Sequence, residues 1–216
     1  MIYAIGDIHG CLDPLRRLMD QIHLSETDEV VFIGDYVDRG PDSKGVIDYL
    51  LTLRGRYTFL MGNHERMFLD FLQGKERFLF LYNGGEATLE SYGGVGGIPA
   101  AHLAFLNRLL PYYETEDYLF VHGGIRPGIL LQDQNPNDLL WIREEFYAYP
   151  GRYPKPVVFG HTPMREVLME EDRIGIDTAC VYGNKLTCLV LPSRRVIQVS
   201  NPLDDVSRAA ILGHRR

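Results

Sequence analysis

Two carboxylates and an arginine stand together in Ile33-Gly34-Asp35-Tyr36-Val37-Asp38-Arg39-Gly40. A carboxylate there can bind a hard cation, and the planar fork of an arginine suits a pair of phosphate oxygens. The stretch follows an apolar run, Glu29 to Ile33, that reads as a buried strand. Pro41, Asp42 and Ser43 then read as the start of a helix through Val46, Ile47, Tyr49, Leu50 and Leu53. The charged groups therefore fall on a loop at the carboxyl end of a strand, where open α/β sheets place their ligand sites. Alone, the stretch also fits an Asp-rich turn with a surface arginine. Recurrence of the pattern separates the two readings.

Four more segments repeat the design of strand, glycine, then Asp, Asn or His. Ile2 to Ile5 runs into Gly6-Asp7-Ile8-His9-Gly10, ahead of a helix marked by Leu12, Leu15, Leu18, Met19 and Ile22. In extended geometry, Asp7 and His9 at i and i+2 point the same way, toward one cation. Tyr57 to Leu60 delivers Gly62-Asn63-His64-Glu65 to a third helix, with Met67, Phe68, Phe71 and Leu72 as its apolar face. Tyr118 to Val121 ends at His122-Gly123-Gly124, and Val157 to Phe159 ends at Gly160-His161-Thr162. Each has a plain structural reading as a turn, a helix cap or a surface histidine. Together they offer Asp7, His9, Asp35, Asn63, His122 and His161, more O and N donors than one tetrahedral site takes. Such a set fits two cations sharing one carboxylate, with Asp35 as the bridge. Mixed oxygen and imidazole donors without thiolate favour Mn, Fe or Zn at a working site over a structural zinc. Two metals about 3.5–4 Å apart acidify a shared water and clamp the oxygens of an in-line displacement at phosphorus.

The elements that must position these loops read as α/β. Strand–helix alternation fills the first part, and short strands without helices, Arg173 to Asp177, Lys185 to Leu191 and Arg195 to Val199, suggest an antiparallel portion later. Residues 1–200 read as one catalytic domain, with 74–111 as a mostly helical insertion beside the site and 201–216 as a polar tail. Lys plus Arg 22 against Asp plus Glu 29 leaves a net charge of −7, and no basic patch suited to nucleic acid appears. Three cysteines without a CxxC spacing point to a reducing, cytoplasmic setting. No signal peptide is visible, and no apolar run approaches the ~20 residues of a membrane span.

Gly6-Asp7-Ile8-His9-Gly10, Gly34-Asp35-Tyr36-Val37-Asp38-Arg39-Gly40, Gly62-Asn63-His64-Glu65, His122-Gly123-Gly124 and Gly160-His161-Thr162 resemble the signature set of the phosphoprotein phosphatase family within the calcineurin-like metallophosphoesterases. Leu140-Trp141-Ile142-Arg143-Glu144 and Ile176-Asp177-Thr178 look most like the compact bacterial and bacteriophage-lambda type of serine/threonine protein phosphatase. The resemblance implies a sandwich of two mixed β-sheets flanked by helices, two divalent metals, manganese with Fe or Zn as options, and a phosphoprotein or phosphopeptide substrate. It implies that Asp7 and His9 hold the first metal, Asp35 bridges, and Asn63, His122 and His161 complete the second. His64 would protonate the leaving alkoxide, Asp38 would hydrogen-bond His64 and raise its pKa, and Arg39 and Arg143 would clamp phosphate oxygens. Asn63 would also border the substrate. The rival reading, a symmetrical diadenosine tetraphosphate hydrolase, typically departs from the Val-Asp-Arg-Gly and Asn-His-Glu forms kept here. A non-catalytic scaffold of the same fold would lack ligands or the acid histidine.

Overall fold

Three short apolar strands, β1 (Ile2–Ile5), β2 (Glu29–Phe32) and β3 (Arg56–Phe59), lie parallel in the order β1-β2-β3. The helices α1 (Leu12–Asp20) and α2 (Ser43–Thr52) make the crossovers. The turn into α2 is capped as its sequence suggests, since the Asp42 carboxylate accepts the Gly45 amide at 2.8 Å. Two long strands, β9 (Lys185–Leu191) and β10 (Arg195–Ser200), complete this sheet: β9 runs antiparallel to β1, and β10 antiparallel to β9. The computed structural model describes residues 1–203, so the expected tail lies from residue 204 onward outside the described residues.

The second sheet is also mixed. Its order is β4 (Tyr112–Glu114), β5 (Leu119–Val121), β6 (Val157–Phe159), β8 (Arg173–Gly175) and β7 (Leu168–Met169). β5, β6 and β8 are parallel, with antiparallel strands at both edges. The two sheets pack face to face. Ala4, Val31, Ile33 and Leu189 of the first meet Phe120, Val158 and Ile174 of the second in one buried cluster. Full burial of side chains this size contributes about 1.5–3 kcal/mol each. Alternation along the strands explains the layering, because neighbours such as Tyr3, Ile5, Val30 and Phe32 point the other way and join the helical layer.

That helical layer includes α3 (Asn63–Leu72), α4 (Arg77–Phe80), a wide turn of π-type (Leu81–Gly85), α5 (Glu86–Tyr92) and α6 (Ala100–Leu106). Helical turns make up most of the 74–111 segment. A chain of side chains ties it to α2: the Tyr92 hydroxyl lies 2.8 Å from His102 Nδ1, and His102 Nε2 lies 3.0 Å from Asp48. On the outer face of the second sheet sit α7 (Pro136–Trp141) and α8 (Glu144–Tyr147). The result is a mixed α/β fold of two stacked mixed sheets flanked by helices.

Candidate active site

The five glycine-bearing loops leave the carboxyl ends of β1, β2, β3, β5 and β6, and the fold brings them to one rim of the stacked sheets. Backbone groups lock them together. The amides of Ile8 and His9 donate to the Asp35 carbonyl at 3.0 and 2.8 Å. The His161 amide donates to Asp7 Oδ2 at 3.0 Å, and the His64 amide donates to Asp35 Oδ1 at 3.1 Å. His122 Nδ1 lies 3.0 Å from the Ile33 carbonyl, to which it donates.

Two groups of side chains present donor atoms within 4.8 Å of one another: His9, Asp35 and His64, and Asp35, His122 and His161. Asp35 belongs to both. Its Oδ2 is 3.4 Å from His9 Nε2 and its Oδ1 is 3.3 Å from His122 Nε2. Asn63 Oδ1 sits 2.9 Å from both His122 Nε2 and His161 Nδ1. Asp7 stands in neither group, but its Oδ1 is buried with no hydrogen-bond partner. An acceptor left orphaned in the interior is costly, and a cation would satisfy it. The donor set is therefore suited to divalent metal.

His64 is buried, and its Nδ1 lies 2.7 Å from Asp38 Oδ2. Its ring meets that of His9 edge-on at 4.6 Å. Both arginines reach the cluster. Arg39 Nη1 is 2.8 Å from His9 Nε2, and Arg143 Nε donates to His161 Nε2 at 3.0 Å. The spacing argument for Asp7 and His9 assumed extended backbone. Instead His9 has φ +47°, so a turn, not strand alternation, sets its direction. Asp35 (φ +53°), Asp38 (+71°), Arg39 (+69°) and His161 (+61°) share this left-handed conformation. It costs an L-residue about 1–2 kcal/mol, and its concentration on these residues marks a functional site.

Burial dominates the electrostatics. It pushes the Asp7 carboxyl well above its usual range, helped by nearby Asp177, which itself rises to about 6. Burial and then Arg39 lower His9 to about 3, and burial, His122 and Arg143 lower His161 to about 2. For His122, burial acts downward, but Asp35, Asp7 and Glu65 outweigh it and raise the ring to about 9. Crowded acids beside His9 and His161, both held neutral, make an environment that a cation relieves. The expectation that Asp38 raises the His64 pKa is not met. Burial, followed by Arg39, holds His64 well below its ordinary value, and burial pushes Asp38 well up. In that fully buried setting desolvation outweighs the single carboxylate contact.

Several supporting residues had no role in the sequence reading. Glu65, fully buried, accepts the amides of Asp35, Tyr36, Val37 and Gly62 at 2.7–3.1 Å. A glutamate at the third helical position, reaching back to the residue before the helix, was the available signal. Thr88 donates to Asp38 Oδ1 at 2.6 Å, and nothing in its sequence context announced it. Trp141 meets the His161 ring edge-on at 5.8 Å. Arg143 and Trp141 line a cleft of about 680 Å³, together with Arg66, Met67 and Asp70 of α3 and with Glu76 and Glu145.

Stacked mixed sheets with shared-carboxylate donor clusters at their rim define a metal-binding phosphoesterase. The model of the calcineurin-like phosphoesterase family matches residues 1–191, and the chain belongs to that family. Its relatives include serine/threonine-protein phosphatase 1 of Salmonella typhimurium, 31% identical over 86% of this chain and 89% of the relative. PrpE of Oceanobacillus iheyensis, an asymmetrical bis(5'-nucleosyl)-tetraphosphatase, is 26% identical over 93% of this chain and 92% of its own. Among solved structures, one described as a candidate diadenosine tetraphosphatase superposes with a TM-score of 0.74 at 26% identity, covering 93% of each chain. Among the described residues, no helix is long and apolar enough to cross a membrane.

Proposed function

We propose that the chain hydrolyses phosphomonoesters and that its substrates are phosphoserine and phosphothreonine in proteins. The observation that carries this reading is the His64–Asp38 pair, held at 2.7 Å in a buried position beside the donor clusters. A serine or threonine alkoxide leaves poorly unless protonated, whereas a nucleotide leaving from a polyphosphate departs as a stable anion. A dedicated proton donor suits the first kind of substrate.

Asp7, His9 and Asp35 would hold one divalent cation, and Asp35, Asn63, His122 and His161 a second. Manganese suits these donors, as do iron and zinc. When bound, the cations supply Lewis acidity at the phosphoryl group and acidify water for direct in-line attack. Arg39 and Arg143 hold phosphate oxygens and orient the ester. A bound phosphate dianion would offset the Arg39 charge that helps hold His64 neutral, so that the ring takes up a second proton in the complex; Asp38 accepts from Nδ1, and Nε2 gives its proton to the leaving oxygen. No cysteine is required: all three are buried free thiols.

The cleft beside Arg143 supports a peptide over a dinucleotide. Its other arginines are already engaged, Arg66 with Asp70 at 2.6 and 2.9 Å, and Arg126 with Asp138 at 2.6 and 2.8 Å. Glu76 and Glu145 would repel a second run of phosphates. The tetraphosphatase reading draws its support from the Oceanobacillus relative and the structural neighbour. One manganese-loaded preparation tested on phosphoseryl and phosphothreonyl peptides beside diadenosine tetraphosphate decides. Peptides should win by orders of magnitude in kcat/KM, and a win for the dinucleotide would reassign the site to polyphosphates.

A further inference from the structure

Thr88 comes from α5, in the segment whose sequence carries no ligand-like cluster, yet it lies beneath the proton-donor pair. It is fully buried. Its Oγ1 donates to Asp38 Oδ1 at 2.6 Å, accepts the Asp38 amide at 2.8 Å, and lies 3.0 Å from Ser43 Oγ. Ser43 is buried too, and it also accepts the Asp38 amide, at 3.0 Å. The directions follow from the inventory of donors. With the Thr88 proton committed to Asp38, the Ser43 hydroxyl donates to Thr88. An ordered chain Ser43→Thr88→Asp38 results, and Asp38 Oδ2 is the carboxylate oxygen that remains for His64 Nδ1.

We infer that Thr88 is a positioning residue for proton donation by His64, so that the 74–111 segment takes part in the chemistry as well as flanking the substrate. The inference rests on the reading of His64 as the proton donor. Asp38 sits in left-handed backbone, φ +71°, where its side chain is not held by regular structure. Both its carboxylate oxygens are instead fixed by hydrogen bonds, one to each side. Valine fills the volume of Thr88 and removes the chain. The Asp38 carboxylate then loses the partner that fixes its rotation, and His64 loses the aligned acceptor that supports its charged form and its aim. Support of this indirect kind is typically worth about 10–100-fold in activity.

The consequence depends on the leaving group. A phosphoserine peptide needs its departing oxygen protonated, whereas 4-nitrophenolate leaves unaided. On manganese-loaded enzyme, Thr88→Val should lower kcat for the phosphopeptide about 10-fold or more, with KM unchanged and turnover of 4-nitrophenyl phosphate near wild type. Thr88→Ser, which keeps the hydroxyl, should restore the peptide rate. Equal losses on both substrates, no loss on either, or failure of Thr88→Ser to restore the rate would each overturn the inference. If the valine variant does not fold, Thr88→Cys, with a weaker donor in a similar volume, should show the same selective loss or sink the idea. His64→Asn run alongside separates the two claims. A selective peptide loss there with none in the Thr88 variants rejects Thr88 and keeps His64 as donor, and no selective loss in His64→Asn rejects both.

Discussion

Glu65 holds Asp35 from behind: its Oε2 accepts the Asp35 amide at 2.9 Å, while its Oε1 accepts the next two amides of the same loop. The loop that carries the shared carboxylate is wrapped around a second carboxylate, which accepts four backbone amides. Three successive amides converging on one acid hold the loop in the left-handed turn at Asp35 that points its side chain to both histidine groups.

Removal of Glu65 should therefore act on stability first. Glu65→Ala leaves four buried amides unpaired, and each such group costs about 1–3 kcal/mol. Denaturant unfolding is expected to show a loss of about 3 kcal/mol or more. A loss under about 1 kcal/mol would mean that water or a loop shift replaces the carboxylate without consequence.

Asp35→Asn should deplete both cations, because Asp35 is common to the two donor groups. Metal analysis of the purified variant is the direct check. Full retention of two metals would remove Asp35 from the bridging position, and loss of one would assign it to a single site.

Gly84 bears on Arg39. Its φ is +91°, and an added Cβ would lie 2.9 Å from Arg39 Cγ and 3.2 Å from Arg39 Cα. The Arg39 amide also donates to the Gly84 carbonyl at 3.0 Å. Gly84→Ala should cost about 1–2 kcal/mol in backbone strain and displace the guanidinium, which raises KM for phosphate esters. An unchanged KM in a folded variant would take Arg39 out of substrate binding.

The metal-free protein should become less stable as pH rises from about 7.5, one unit above the free imidazole pKa, to about 9. In that window the folded state keeps a proton on His122, which the neighbouring carboxylates hold against the lowering effect of burial. Asp7 and Asp38, pushed up by burial, act in the same direction. His9 and His161, lowered to about 3 and about 2, and His64, lowered well below its ordinary value, bind no proton when folded; they oppose His122 near the free imidazole pKa, and add nothing about one unit above it, where they are neutral in both states. The folded chain thus binds more protons than the unfolded one, so its stability falls with rising pH. Metal binding displaces those protons and strengthens in the same direction. The Tm gap between manganese-loaded and EDTA-treated protein should widen from about pH 7.5 to about 9. A metal-free Tm that climbs over that range would contradict the assignment.

Which chemical groups the site holds, and where along the chain they fall, is legible without the fold. Gly-Asp, Gly-Asn and His-Gly steps at the ends of apolar runs are local features, and the parallel strands with their crossover helices follow from local periodicity. What those groups touch depends on the folded chain. His122 meets the Ile33 carbonyl across 89 residues of sequence, and Thr88 meets Asp38 across 50. Such contacts depend on how two sheets stack and how a helical segment folds back, which local propensity does not encode. The left-handed backbone at His9 and the depressed pKa of His64 were hidden for the same reason. The first needs partners from other loops to hold it, and the second arises from burial that exists only once both layers are in place.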